Sequence, residues 1–256
     1  RFELAVDFDA VPGVGYAVVR LNEKRWPAGG GHGLVSEAPG VMENATLRVE
    51  IRDDGLLDVL HKPTGRWFRD LHGFEDCGEV GDLWVHQKPA SDTLVRGIKR
   101  ATMSVVHNGP LLATYRVAYM IELPESATPD HSARSAAMAE LTVVSDFTLT
   151  RTAAMVEVET TITNSIRDHR LRVTFPSDCK TDVHYASSQF DVVRRSIPLL
   201  DTRDWLEQDS EIKPTQGFVN VRDDGGGLAL LTFGLPEYSV IDDERRTVAL
   251  TLLRAL

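Results

Sequence analysis

Cysteine is nearly absent: the 256 residues include only Cys77 and Cys179. One pair cannot staple so long a chain, so a disulfide scaffold is excluded, and two unpaired thiols of the kind kept in a reducing cytoplasm are expected. Positive charge is also in deficit. Lys and Arg number 28 against 38 Asp and Glu, a net charge of −10, whereas a nucleic-acid or anionic-membrane partner demands a basic footprint. No apolar run approaches the roughly 20 residues of a membrane-spanning helix. The opening Arg1-Phe2-Glu3-Leu4-Ala5-Val6-Asp7 lacks the basic start and apolar block of a signal peptide and reads as a strand under way. The chain stops inside another strand pattern, Val248-Ala249-Leu250-Thr251-Leu252-Leu253-Arg254. Both ends are therefore expected to be cut from something longer.

Helical spacing of apolar residues is lacking too. Residues 132–138 have helix-forming composition, enough for one turn or a loop. What fills the chain instead is alternation. Residues 46–51 place Leu47, Val49 and Ile51 on one face, Asp53-Asp54-Gly55 signals a hairpin turn, and residues 57–61 form the return strand. Lys62-Pro63-Thr64-Gly65 makes the next turn. Further strands are expected over 94–99, 101–108, 111–121, 139–150, 155–163, 171–175, 183–185, 217–221, 228–233, 238–241 and 247–253. Many strands with Asp/Gly turns between them predict an all-β fold, a large antiparallel β-sandwich over 41–256. Residues 2–8 and 15–20 give two short strands, and the glycine-rich Gly29-Gly30-Gly31-His32-Gly33 reads as a linker closing a separate segment, 1–40.

Catalytic signatures are the last absence. No Gly-x-Ser-x-Gly elbow, His-x-x-x-His or Cys-x-x-Cys occurs, and no linear pattern nominates the paired carboxylates of a glycosidase. The stretch from Phe74 to His86 is polar and irregular. It fits an acidic surface loop better than a cation site, because its spacing departs from the twelve-residue calcium loop. Within it Asp82, Trp84 and His86 alternate onto one face, where an indole could stack on a sugar ring between two groups that hydrogen-bond its hydroxyls. Trp84 fits a core position equally well.

The run Asp168-His169-Arg170-Leu171-Arg172-Val173-Thr174-Phe175-Pro176 alternates strictly: Leu171, Val173 and Phe175 form a core face, Arg170 and Arg172 a surface or inter-domain face, and His169 a structural hydrogen-bonder at a turn. With Asn164 upstream, this run resembles the C-terminal β-domain of glycoside hydrolase family 38, the α-mannosidases, in its bacterial branch. Other landmarks fall in the family's order: Glu43-Asn44, Asp54-Gly55, Phe74-Glu75-Asp76, Gly81-Asp82, Gly109-Pro110, Gln216-Gly217-Phe218, Gly227-Leu228-Ala229 and Gly234-Leu235-Pro236-Glu237-Tyr238.

The resemblance implies a supersandwich of the galactose-mutarotase-like type, preceded in residues 1–40 by the tail of a small β-domain. It implies a retaining, zinc-dependent α-mannosidase whose zinc ligands and catalytic carboxylates lie in an N-terminal α/β domain outside this chain, so that no cofactor binds here and the chain alone is inactive. The partners implied are that catalytic domain and an α-mannoside, such as mannosylglycerate, at the domain seam; a second copy is a further candidate. Trp84 matches a position where the family places an aromatic, usually tyrosine, at the pocket rim. It keeps a stacking face but no phenolic hydroxyl. The alternative is a stand-alone carbohydrate-binding or mutarotase-like module, which would need a His and a Glu facing a sugar.

Overall fold

A computed structural model describes residues 13–16, 18, 34, 38–82, 84–206 and 208–256. Most of 1–40, including the expected strand over 2–8 and the glycine-rich linker, lies outside the described residues.

The chain begins as the predicted meander. Strands β1 (Val41–Glu43), β2 (Leu47–Ile51), β3 (Leu57–His61) and β4 (Arg66–Leu71) pair in sequence order. Leu47, Val49 and Ile51 are all buried, as their alternation predicts. The turn into β3 needs its glycine: Gly55 has φ +83°, and a Cβ there would sit 2.4 Å from the Tyr119 ring. The Tyr119 hydroxyl closes the arrangement by donating to the Gly55 carbonyl at 2.8 Å.

Strands β5 (Gly73–Gly78) and β6 (Val95–Arg96) enter a different sheet. Then β7 (Arg100–Asn108), β8 (Leu112–Pro124), β9 (Met138–Thr150) and β10 (Glu157–Thr163) form a second four-stranded meander. Strand β11 (His169–Pro176) returns to lie against β5. Strands β12 (Val183–Ser188) and β13 (Asp191–Ser196) follow, then the short β14 (Ile212–Pro214). Strands β15 (Phe218–Asp223) and β16 (Gly226–Leu231) complete a sheet ordered β13-β12-β15-β16. Finally β17 (Glu237–Val240) and β18 (Thr247–Ala255) close a six-stranded sheet ordered β14-β17-β18-β11-β5-β6.

The named strands all pair antiparallel, and no helix occurs among the described residues. The all-β, antiparallel expectation therefore holds, with the strands divided among four sheets. All four contribute to one continuous core, in which Val49, Phe147, Leu171 and Val221 are examples. His72 sits inside it, ringed by Phe74, Phe147 and Tyr119 at 5.1, 4.9 and 5.7 Å between centroids.

The six-stranded sheet overturns two expectations. The stretch from Phe74 to Gly78, read as part of an acidic surface loop, is buried within strand β5. The arginine face of β11 is not a surface either: Arg170 and Arg172 are 1% and 5% exposed. Being central, β11 has neighbours on both edges and both faces covered, so its polar residues are buried and must find partners. His169 likewise lies in the strand, fully buried, with Nδ1 2.6 Å from Asp76 Oδ2 and Nε2 3.1 Å from Asn164 Oδ1.

Candidate functional site

The register of the central sheet sorts its residues onto two faces. Glu75 and Cys77 of β5 stand opposite Arg172 and Arg170 of β11, which stand opposite Thr251 and Arg254 of β18. This face is charged; the other carries Phe74, Leu171, Val173 and Leu250. On the charged face the carboxylates are claimed in pairs. Arg172 and Arg96 hold Glu75, whose carboxyl burial alone would raise but these two guanidiniums pull below the usual range.

After β5 the chain folds back on itself between residues 79 and 87 as a tight loop. Its rungs are Val80 N to Gln87 O at 2.8 Å and Asp82 N to Val85 O at 3.1 Å. A Cβ on Gly81 would meet the Val85 carbonyl oxygen at 2.0 Å, so only glycine lets the two arms approach so closely. Glu79 is the hub. Fully buried, it accepts from His86 Nδ1 at 2.6 Å, Arg254 Nε at 2.7 Å and the Gly81 amide at 3.0 Å. Burial pushes its carboxyl up, and those three donors bring it below the ordinary glutamate range. Arg254 also donates through Nη2 to the Asp82 carbonyl at 2.7 Å.

The three residues expected to share one strand face do share this loop, in different roles. The loop is not a strand, so alternation does not apply. Asp82 is exposed and caps the turn, its Oδ1 accepting from the Val85 and Trp84 amides at 2.7 Å each, and those bonds hold its carboxyl low. Trp84 occupies the tip and is 88% exposed, which removes the core-tryptophan option. His86 is an anchor: its side chain is 7% exposed, Nδ1 faces Glu79, and Nε2 lies 3.8 Å from Cys77 Sγ. Burial, and then the nearby Arg170 charge, hold the His86 pKa down, so the ring is neutral near pH 7. The same burial pushes the Cys77 thiol up. Both cysteines are free and buried.

The sequence reading placed Glu79 and Cys77 in an acidic surface loop, Arg170 on a surface or inter-domain face and Arg254 in the last strand, and missed that the four converge. The one available signal was charge alternation on a strand whose neighbours are far away in the chain. Among the described residues, no group of three or more His, Cys, Asp or Glu converges as a metal site, so these residues do not fit a zinc ion. A cleft of about 1910 Å³ opens elsewhere. Val59, Phe68, Val173, Phe175 and Leu228 line it, and none of Asp82, Trp84 and His86 does.

Residues 42–256 match the model of the glycosyl hydrolases family 38 C-terminal domain. The chain belongs to this family. Among solved structures it is similar to an alpha-mannosidase from Enterococcus faecalis V583, with TM-score 0.82 and 31% identity over 88% of this chain. A second family 38 structure from Enterococcus faecalis gives TM-score 0.79 and 30% identity. A curated relative from Halalkalibacterium halodurans, named "Putative mannosylglycerate hydrolase", is 29% identical over 231 residues, 84% of this chain. The chain spans only 25% of that relative and 27% of each family 38 structure. The resemblance drawn from the run at 168–176 is thereby confirmed, and it rests on a scaffold strand.

Proposed function

We propose that this chain is the C-terminal β-region of a retaining, zinc-dependent α-mannosidase of the cytoplasm, a supersandwich of the galactose-mutarotase-like type over 41–256 preceded by the end of a small β-domain. In this proposal the bond-breaking groups and the zinc sit in a separate α/β domain, and the region described here packs against it and borders the mannoside pocket. Family membership over 42–256 and the short span of the chain along its relatives support this. The observation that carries the site is the loop 79–87. It presents an indole to solvent and spends a fully buried carboxylate, a buried imidazole and an arginine on holding it there. An exposed tryptophan on a braced loop is a stacking platform.

The experiment is direct. The purified chain is assayed on nitrophenyl α-mannoside with and without zinc, and no hydrolysis is expected; robust zinc-dependent turnover would overturn the assignment of chemistry elsewhere. Fused to its catalytic domain, Trp84→Ala should raise KM for the mannoside with a smaller effect on kcat. Unchanged kinetics would remove Trp84 from the pocket. Catalysis of sugar mutarotation by the isolated chain would favour the stand-alone module instead.

A further inference from the structure

An edge strand presents free main-chain donors and acceptors, a template for another strand unless something guards it. Most edges of the four sheets are guarded. Strands β1, β6 and β14 are only two or three residues long, and β14 ends in Pro214. Strand β7 is interrupted by a bulge between Val105 and His107, and β4 and β13 each carry two arginines. The other two edges, β10 and β16, are seven and six residues long and contain no proline. Among the described residues each pairs with one neighbour, in unbroken register.

Both of these edges border the same cleft. A sheet face would contribute alternate residues to its lining, whereas residues 154–160 and 225–233 line it without a gap, so the strands meet it edge-on. At about 1910 Å³ the cleft has room for an extended segment of several residues. Ile162, Leu228 and Leu230 line it and pack on the common core, while Val158, Leu231 and Phe233 are 43, 51 and 87% exposed.

The alternation of β10 specifies the occupant. Thr160 and Ile162 are half-buried, with Thr160 Oγ1 2.9 Å from Oγ of the buried Ser145. Val158 shares their face, and Glu157 and Glu159 take the other. A strand added here sets apolar side chains beside Val158 and Ile162 and every second side chain beside the two glutamates. Those carboxylates form no salt bridge among the described residues; Arg116, two strands away, is committed to Asp146. On a chain of net charge −10 they favour lysine or arginine opposite, and they disfavour a second copy, whose β10 would bring the same glutamates.

We propose that an extended polypeptide segment from outside these residues, alternating apolar with basic side chains, lies in this cleft and adds as a strand to the free edge of β10. This goes beyond the mannosidase reading and does not rest on it.

The test uses the whole chain in low-salt buffer at pH 7. The probe is the synthetic peptide Ac-KVKVKVK-amide. The controls are Ac-EVEVEVE-amide and Ac-KVKPKVK-amide, whose central proline removes a ladder donor. Hydrogen exchange, read at individual amides, should slow saturably across residues 157–163 with the basic peptide and stay unchanged in β7 and β13. The acidic and proline peptides should each bind about tenfold more weakly. Replacing both exposed glutamates, Glu157→Lys with Glu159→Lys, should reverse the preference between the basic and acidic peptides. Exchange at 157–163 that the basic peptide leaves unchanged, or that the proline control slows equally, overturns the proposal without reliance on any variant. Slowing there with protein concentration alone would assign the edge to a second copy and overturn it as well.

Discussion

Acid should unfold this protein from the inside, beginning well above the pH at which carboxylates titrate. His72 is held to a pKa of about 3 by burial among Phe74, Phe147 and Tyr119. His184 is held to about 4, by burial first and then by the charges of Arg195 and Lys213. In the unfolded chain both titrate near 6.5, so between about pH 6.5 and 4 the unfolded state binds two protons that the folded state refuses. The sign follows: their contribution is intact above about pH 6.5 and is lost as pH falls, by about 1.4 kcal/mol per unit for each histidine. At pH 5 each has lost about 2 kcal/mol, together about 4 kcal/mol, a large part of the 5–15 kcal/mol typical of a folded domain. His86, depressed in the same direction, adds to the loss. The assay is urea denaturation at pH 7.5, 6.5, 5.5 and 5.0, comparing the protein with His72→Phe. The backbone at residue 72 has φ 65°, so the phenyl ring carries a strain cost, but that cost does not vary with pH. The His72→Phe protein should lose about 2 kcal/mol less than the parent between pH 7.5 and 5.0. Parallel pH curves for the two proteins would refute the argument.

Glu79→Ala strands Arg254 and His86 without their shared acceptor and should cost about 3–5 kcal/mol; limited proteolysis between residues 80 and 87 should quicken, and an unchanged cleavage rate would show the loop is held by other means. Trp84→Ala, at the exposed tip of that loop, should change the urea midpoint by no more than about 0.5 kcal/mol equivalent. Gly81→Ala places its methyl 2.0 Å from the Val85 carbonyl oxygen, so thermal melting should show a loss of about 1–3 kcal/mol. Cys77 and Cys179 are free and buried, so a thiol reagent should titrate two thiols in denaturant and react with neither promptly in the native protein.

The strands and their turns were legible because alternation is a local property. Residues 46–51 showed which side chains face in, and Asp53-Asp54-Gly55 marked the reversal that the backbone makes. What failed was the polarity of the central sheet. Glu75 and Asp76 look solvated in sequence, yet Glu75 meets Arg172 97 positions away and Asp76 meets His169 93 positions away. Glu79 finds Arg254 at a separation of 175. No window of sequence contains both members of such a pair, so a buried carboxylate cannot be distinguished locally from an exposed one. The same limit explains Trp84. Its neighbours alternate as in a strand, but two backbone bonds, Val80 to Gln87 and Asp82 to Val85, and the Asp82 carboxylate on the Trp84 and Val85 amides turn the segment into a loop, and the indole sits at its tip instead of on a sheet face.

The strand at 169–176 therefore supports two chemistries at once. On one face, Leu171 and Val173 join the common core, and burial of such side chains is worth about 1.5–3 kcal/mol each. On the other, Arg170 and Arg172 stand in a row of buried charge that a purely structural sheet would do better to replace with aliphatic residues of similar size. Arg172 is matched by Glu75, and Arg254 by Glu79. Arg170 is the member left half-matched. Arg170→Leu should therefore hold or raise the urea midpoint, because the folded chain no longer buries an incompletely paired charge; a lowered midpoint would show that the 3.4 Å contact with Glu237 outweighs the cost of burying that charge.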